Sequence, residues 1–158
     1  MLGKILIVDD DVDVLQAARL LLKKHARLVH TEKRPGQIPA LLQNEQYDII
    51  LLDMNFTRDV SSGREGFFWL DKILEIDPSA VVVLITAFGD VEMAVQAIKA
   101  GATDFVLKPW QNEKLIATLT SALRLKESRT QADRFRSQSK QLNADLGIRY
   151  RDFLGESA

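Results

Sequence analysis

Apolar positions in this chain gather into short unbroken runs, and each run stops at a polar residue. Lys4-Ile-Leu-Ile-Val8 gives way to Asp9-Asp10-Asp11, and Tyr47-Asp-Ile-Ile-Leu-Leu52 gives way to Asp53. Ala80-Val-Val-Val-Leu-Ile85 ends at Thr86, and Asp104-Phe-Val-Leu107 ends at Lys108. Runs of this length predict strands buried on both faces, as in a parallel sheet. Between them the apolar period becomes helical. Val14, Leu15, Ala18, Leu21 and Leu22 mark a first helix up to Lys24. Ile38, Leu41 and Leu42 mark a second over Pro35 to Asn44, with Pro35 near its start. Phe67, Leu70, Ile73 and Leu74 mark a third over Gly66 to Ile76, stopped by Asp77-Pro78. Val91, Ala94, Val95 and Ile98 mark a fourth, and Gly101 sits where its C-terminal cap belongs. Leu115, Ile116, Leu119 and Leu123 mark a fifth, and Arg27 to Thr31 reads as a short second strand.

Five strand-helix alternations with short links predict an α/β fold, a doubly wound five-stranded parallel sheet. A reversal beside the first strand gives the flavodoxin-like order 2-1-3-4-5, with ligands expected at the carboxyl ends of the strands. Asp9, Asp10 and Asp53 should converge at the switch point between the first and third strands, with Thr86 and Lys108 on the same edge.

Composition narrows the chemistry. Of 158 residues, 46% are hydrophobic and 27% charged, with a net charge of −1, so no global charge recruits nucleic acid or a membrane surface. There is no cysteine, which excludes thiolate catalysis and disulfides. The two histidines, His25 and His30, are too few for a zinc site. No apolar run approaches the ~20 residues of a membrane span, so the expected compartment is the cytoplasm.

Carboxylates gathered at one strand edge repel: two unit charges 4 Å apart cost roughly 4 kcal/mol at an effective dielectric of ~20. Such a cluster persists when a cation offsets it, and oxygen-only donors favour Mg²⁺. The plain alternative is that Asp9 to Asp11 merely begin a helix, where acids suit the dipole. Asp11 fits that role as an N-cap, but the alternative leaves Asp53 and Lys108 without explanation. Asp53 can act as a nucleophile, since carboxylates form aspartyl phosphates. Lys108 would neutralise phosphoryl charge, and the Thr86 hydroxyl would meet a phosphoryl oxygen. A threonine at a strand end or a lysine before proline says little alone. The order and spacing of all four residues carry the signal.

Residues 3–125 resemble the receiver domain of two-component response regulators. The motifs are Ile-Leu-Ile-Val-Asp9-Asp10-Asp, Asp-Ile-Ile-Leu-Leu-Asp53-Met, Leu-Ile-Thr86-Ala87 and Ala-Gly-Ala-Thr-Asp-Phe105-Val-Leu-Lys108-Pro109. The resemblance implies a signalling switch in which Asp53 accepts a phosphoryl group from a sensor histidine kinase. Asp9 and Asp10 match the Mg²⁺ carboxylates, and Asn55 the position whose backbone carbonyl ligates the metal. Thr86 and Phe105 match the switch hydroxyl and switch aromatic, and Lys108-Pro109 a bond that is typically cis in this family. No enzyme activity is implied beyond Mg²⁺-dependent self-phosphorylation and autodephosphorylation. One departure stands out: Met54 to Glu65 is longer than the usual loop after the phosphoacceptor and lacks its proline. Phe67-Phe68-Trp69 follows, and three adjacent aromatics on a helix cannot all face the core.

Beyond about Lys126 the chain turns polar, and Leu125, Ala132, Phe135, Leu142 and Leu146 form a weak heptad. Residues 126–150 read either as a solvated helical extension or as a dimeric coiled coil. Asp152-Phe-Leu-Gly-Glu-Ser-Ala158 resembles the opening of the AAA+ domain of nitrogen-regulatory (NtrC-type) transcription activators. This implies three parts: a receiver over 1–125, a linker over 126–150, and 151–158 as the start of an AAA+ domain that is otherwise missing. A homodimer through the fourth-helix and fifth-helix face and the linker is expected, with no nucleic acid bound by these residues. Two other classes compete. A stand-alone receiver acting by protein-protein interaction shares every motif up to Leu125. A haloacid-dehalogenase phosphatase would use Asp9-Asp10-Asp11 but leave Asp53 unused.

Overall fold

A computed structural model describes residues 2–54, 64–87 and 91–128. Five strands form one sheet: β1 (Lys4–Val8), β2 (Leu28–Glu32), β3 (Ile49–Asp53), β4 (Val82–Ala87) and β5 (Asp104–Lys108). Every pairing is parallel and the order is β2-β1-β3-β4-β5, as the alternation predicts. Helices α1 (Val12–Leu22), α2 (Ile38–Asn44), α3 (Arg64–Ile76) and α4 (Val91–Lys99) connect them. Helix α5 follows over 112–124.

The central strands carry apolar side chains on both faces, so two cores form. Ile5, Ile7, Ile49, Leu51, Val83 and Ile85 pack with Leu15, Ala18, Leu22, Leu115 and Leu119. Leu6, Val8, Ile50, Leu52, Val82 and Leu84 pack with Ile38, Leu70, Ile73 and Ala97. Burial on both faces is what turns the strands into unbroken apolar runs rather than alternating ones.

Local chemistry sets the element ends. The Asp11 carboxylate accepts from Asp13 N at 2.9 Å and caps α1. That helix ends at Leu22, two residues before the expected Lys24, because His25 and Ala26 both turn back onto the Leu22 carbonyl. The second helix splits into a 3₁₀ turn over Pro35–Gln37 and then α2. Pro39 has no N–H to continue an α-helix from Pro35, so the ladder restarts at Ile38. Gly101 has φ +117°, and Ala102 N reaches back to Ala97 O at 3.0 Å, closing α4 as its position predicted. Of the three aromatics on α3, Phe67 and Trp69 pack against the core while Phe68 is 53% exposed.

His30, at the middle of β2, has its Nδ1 2.6 Å from the hydroxyl of buried Tyr47, which precedes β3, with the rings edge-to-face. Tyr47→Phe should cost about 1 kcal/mol, the net worth of a typical buried hydrogen bond, measured by urea denaturation near neutral pH. An unchanged midpoint would show that the pair adds nothing.

The chain divides into two units after Arg124. Residues 125–128 of the second unit are helical. Asn55, most of the long loop, the heptad beyond Leu125 and the 151–158 segment lie outside the described residues. Among the described residues no helix is long and apolar enough to cross a membrane.

Candidate phosphoryl-acceptor site

The carboxyl ends of β1 and β3 are neighbours, and each delivers acids at its last turn. Asp9 follows Val8 directly, and its N–H donates to the Glu32 carbonyl at 3.1 Å. Its Oδ1 accepts from Asp11 N at 2.9 Å, which fixes the carboxylate above β1. Asp53 is the final residue of β3, in register with Ile85. The next residue, Met54, donates its N–H to Ile85 O at 3.0 Å. Asp9, Asp10 and Asp53 each present a carboxylate oxygen, and these oxygens lie within 4.8 Å of one another. Asp9 is fully buried, Asp53 is 1% exposed and Asp10 is half-buried.

Lys108 enters from β5, where its register partner is Ala87. Its Nζ lies 2.7 Å from Asp9 Oδ2 and 3.3 Å from Asp53 Oδ1. Burial raises the Asp9 carboxyl above its ordinary range, although Lys108 and the Asp11 N–H pull the other way. Burial would lower the lysine, but its hydrogen bond to Asp9 and the charges of Asp53 and Asp9 outweigh that, and its pKa is raised. The Lys108 ammonium therefore contacts two buried carboxylates, with Asp10 close by. The set consists of hard oxygen donors without histidine or cysteine, which is the donor chemistry Mg²⁺ takes. The described residues fit such an ion.

Thr86 is fully buried at the end of β4, and its hydroxyl donates to the Ala87 carbonyl at 3.1 Å. Ala87 is exposed, and Phe105 on β5 is half-buried against the α3–α4 side of the sheet. The Lys108-Pro109 peptide is cis. Two features of the site were not evident in the sequence. Trp110, just after that bond, helps wall an open cleft of about 500 Å³ with Asp13, Val14, Ala17 and Lys108. Gly66, thirteen residues after Asp53, packs against Met54. The Lys-Pro-Trp succession hinted at the first. A glycine inside an apolar helical stripe was the only trace of the second.

A response regulator receiver domain family model matches residues 5–120. The chain belongs to that family. It is 32% identical over 119 residues to the transcriptional regulatory protein ZraR of Salmonella typhimurium, covering 75% of this chain and 26% of ZraR. It is 34% identical over 124 residues to the phosphoglycerate transport system transcriptional regulatory protein PgtA of the same species, covering 78% of this chain and 29% of PgtA. The chain thus spans about a quarter of the length of these curated relatives, which are NtrC-type regulators. Among solved structures, the N-terminal signal receiver domain of a Bacteroides fragilis two-component response regulator is 46% identical, with a TM-score of 0.70, covering 78% of this chain and 98% of that one. Brucella abortus NtrX in complex with ADP is 27% identical, with a TM-score of 0.76, covering 87% of this chain and 30% of that one.

Proposed function

We propose that this receiver is a phosphorylation-driven switch in which Asp53 accepts a phosphoryl group from a sensor histidine kinase. The observation that carries the reading is the meeting of Asp9, Asp10, Asp53 and Lys108 at one sheet edge. An Asp53 carboxylate oxygen forms the new O–P bond. The donor's P–N bond breaks, and its electron pair leaves with the imidazole. With acetyl phosphate a P–O bond breaks instead and acetate leaves. Asp9, Asp10 and Asp53, with the Asn55 carbonyl, would hold Mg²⁺, which supplies positive charge against the carboxylates and the incoming phosphoryl group. Lys108 meets the charge of ~−2 that the phosphoryl group brings near neutral pH.

The phosphoryl group is read indirectly. Thr86 is one residue beyond the Asp53 register partner Ile85, so its hydroxyl can exchange the Ala87 carbonyl for a phosphoryl oxygen. Phe105 then moves inward beside it, and α4, which lies between their strands in the chain, shifts. Moving a population from 1:99 to 99:1 takes roughly 5.5 kcal/mol. A few charge-assisted hydrogen bonds at ~1.5–3 kcal/mol each reach that. On α4, Val91, Val95 and Ile98 are exposed apolar residues. They suit a homodimer through the α4–β5–α5 face, extended by a linker helix over 126–150. The relatives' roles as transcriptional regulatory proteins and their greater length support a transcription-activating output beyond a receiver over 1–125, with 151–158 opening an AAA+ domain.

The test is intact-mass labelling with acetyl phosphate and Mg²⁺. Wild type should gain one phosphoryl group, Asp53→Asn none, and EDTA should block labelling. Labelling of Asp53→Asn at the wild-type rate would overturn the assignment.

A further inference from the structure

Gly66 is buried in the first turn of α3, and its φ is outside the left-handed region. Backbone freedom therefore does not explain a glycine there, and within a helix glycine is less favourable than alanine. Space explains it. A Cβ at this position would lie 2.7 Å from Met54 Cα, 2.8 Å from the Met54 carbonyl oxygen and 2.8 Å from its sulfur. The sulfur ends a flexible side chain and can swing aside. The Cα and carbonyl oxygen cannot move without the strand end.

Neither side has slack. Met54 follows Asp53 directly and is tied to β4 through the Ile85 carbonyl. Helix α3 is seated by Leu70 and Ile73, both fully buried, four and seven residues beyond Gly66 and so on the same helix face. Packed interiors transmit such conflicts rather than absorbing them. We propose that Gly66 is a positioning residue for phosphoryl transfer: it lets α3 rest directly on the Met54 backbone, which fixes the Asp53 carboxylate against Lys108 and the neighbouring acids. The inference rests on the reading of Asp53 as phosphoacceptor. In-line attack tolerates little error, and a misplacement of ~1 Å can cost ~10²-fold in rate.

The experiment is Gly66→Ala in the full chain, labelled with acetyl phosphate at saturating Mg²⁺. Gly36→Ala serves as comparison, because nothing lies within 4 Å of a Cβ there. Gly66→Ala should lower the maximal labelling rate ~10-fold or more, while the acetyl phosphate concentration at half-maximal rate stays within ~3-fold. Its circular dichroism should remain that of the folded protein, and Gly36→Ala should label at the wild-type rate. Adding Met54→Ala removes only the sulfur contact and should rescue the rate in part at most. Three results would overturn the proposal: a wild-type maximal rate, a Gly66→Ala chain that does not fold, or full rescue by Met54→Ala. Asp53→Asn is run alongside. If it labels, the phosphoacceptor reading fails. If it stays silent while Gly66→Ala labels normally, only the role of Gly66 fails.

Discussion

Asp9→Asn is expected to raise the unfolding temperature of the metal-free protein while abolishing phosphoryl acceptance. The two effects share a cause. Asp9 is fully buried, and burial is the largest influence on its carboxyl, raising the pKa above the ordinary value of 3.8. A carboxyl whose folded pKa is raised supports the fold most when protonated. Its contribution is complete below the unfolded value and is lost as pH rises through the folded value. At neutral pH the ionised group therefore opposes folding, and a neutral amide of the same shape relieves that cost. A higher unfolding temperature is expected near pH 7.5, and the gain should shrink toward pH 4. Mg²⁺ should then stabilise wild type and not the variant, because ligands stabilise the state that binds them. Calorimetry across pH, with and without Mg²⁺, checks this. A variant less stable than wild type at pH 7.5 would contradict it.

Lys108→Met should do the reverse. Removing one partner of a buried ion pair leaves uncompensated charge and typically costs ~3–5 kcal/mol. The lysine side chain is 25% exposed, so solvent screening reduces this to roughly 2 kcal/mol. Without the ammonium, Asp9 loses an influence that lowers its pKa and holds its proton to higher pH. The deficit should thus be largest near pH 8 and shrink as pH falls and Asp9 protonates. At the alkaline end, wild type itself should lose the contribution of Lys108 as pH rises from the ordinary lysine value of 10.5 through the raised folded one. Urea denaturation of Lys108→Met and of Asp9→Asn/Lys108→Met measures the coupling. The double variant should recover most of the loss. Equal losses at pH 8 and pH 5 would mean that packing, not charge, is responsible.

Strand order was readable from the sequence because double-sided burial and short crossovers leave few alternatives. The same logic places Asp9, Asp53, Thr86 and Lys108 at one edge. Strand limits were less accessible. Tyr47 and Asp48 extend the apolar run of β3, yet they stand outside the strand: Asp48 spends its backbone N–H on the Lys4 carbonyl and its carboxylate on the Lys4 N–H. Ala80 and Val81 are buried but precede β4, since Ala80 N turns back to the Asp77 carbonyl. Hydrophobicity reports burial, and only hydrogen bonding reports a strand. Gly66 was hidden for a different reason. Its significance lies in an atom it lacks, and that becomes visible only once Met54 is known to sit opposite.

Lys108 belongs to β5, an edge strand and the last of the five to emerge during synthesis. Until it docks, Asp9 and Asp53 lack the Lys108 ammonium that lies 2.7 Å and 3.3 Å from them in the finished sheet. Completing the sheet and pairing the two buried carboxylates with this lysine are therefore one event. The lysine proposed to meet phosphoryl charge is thus also the residue through which the last strand joins the two carboxylates of the first and third.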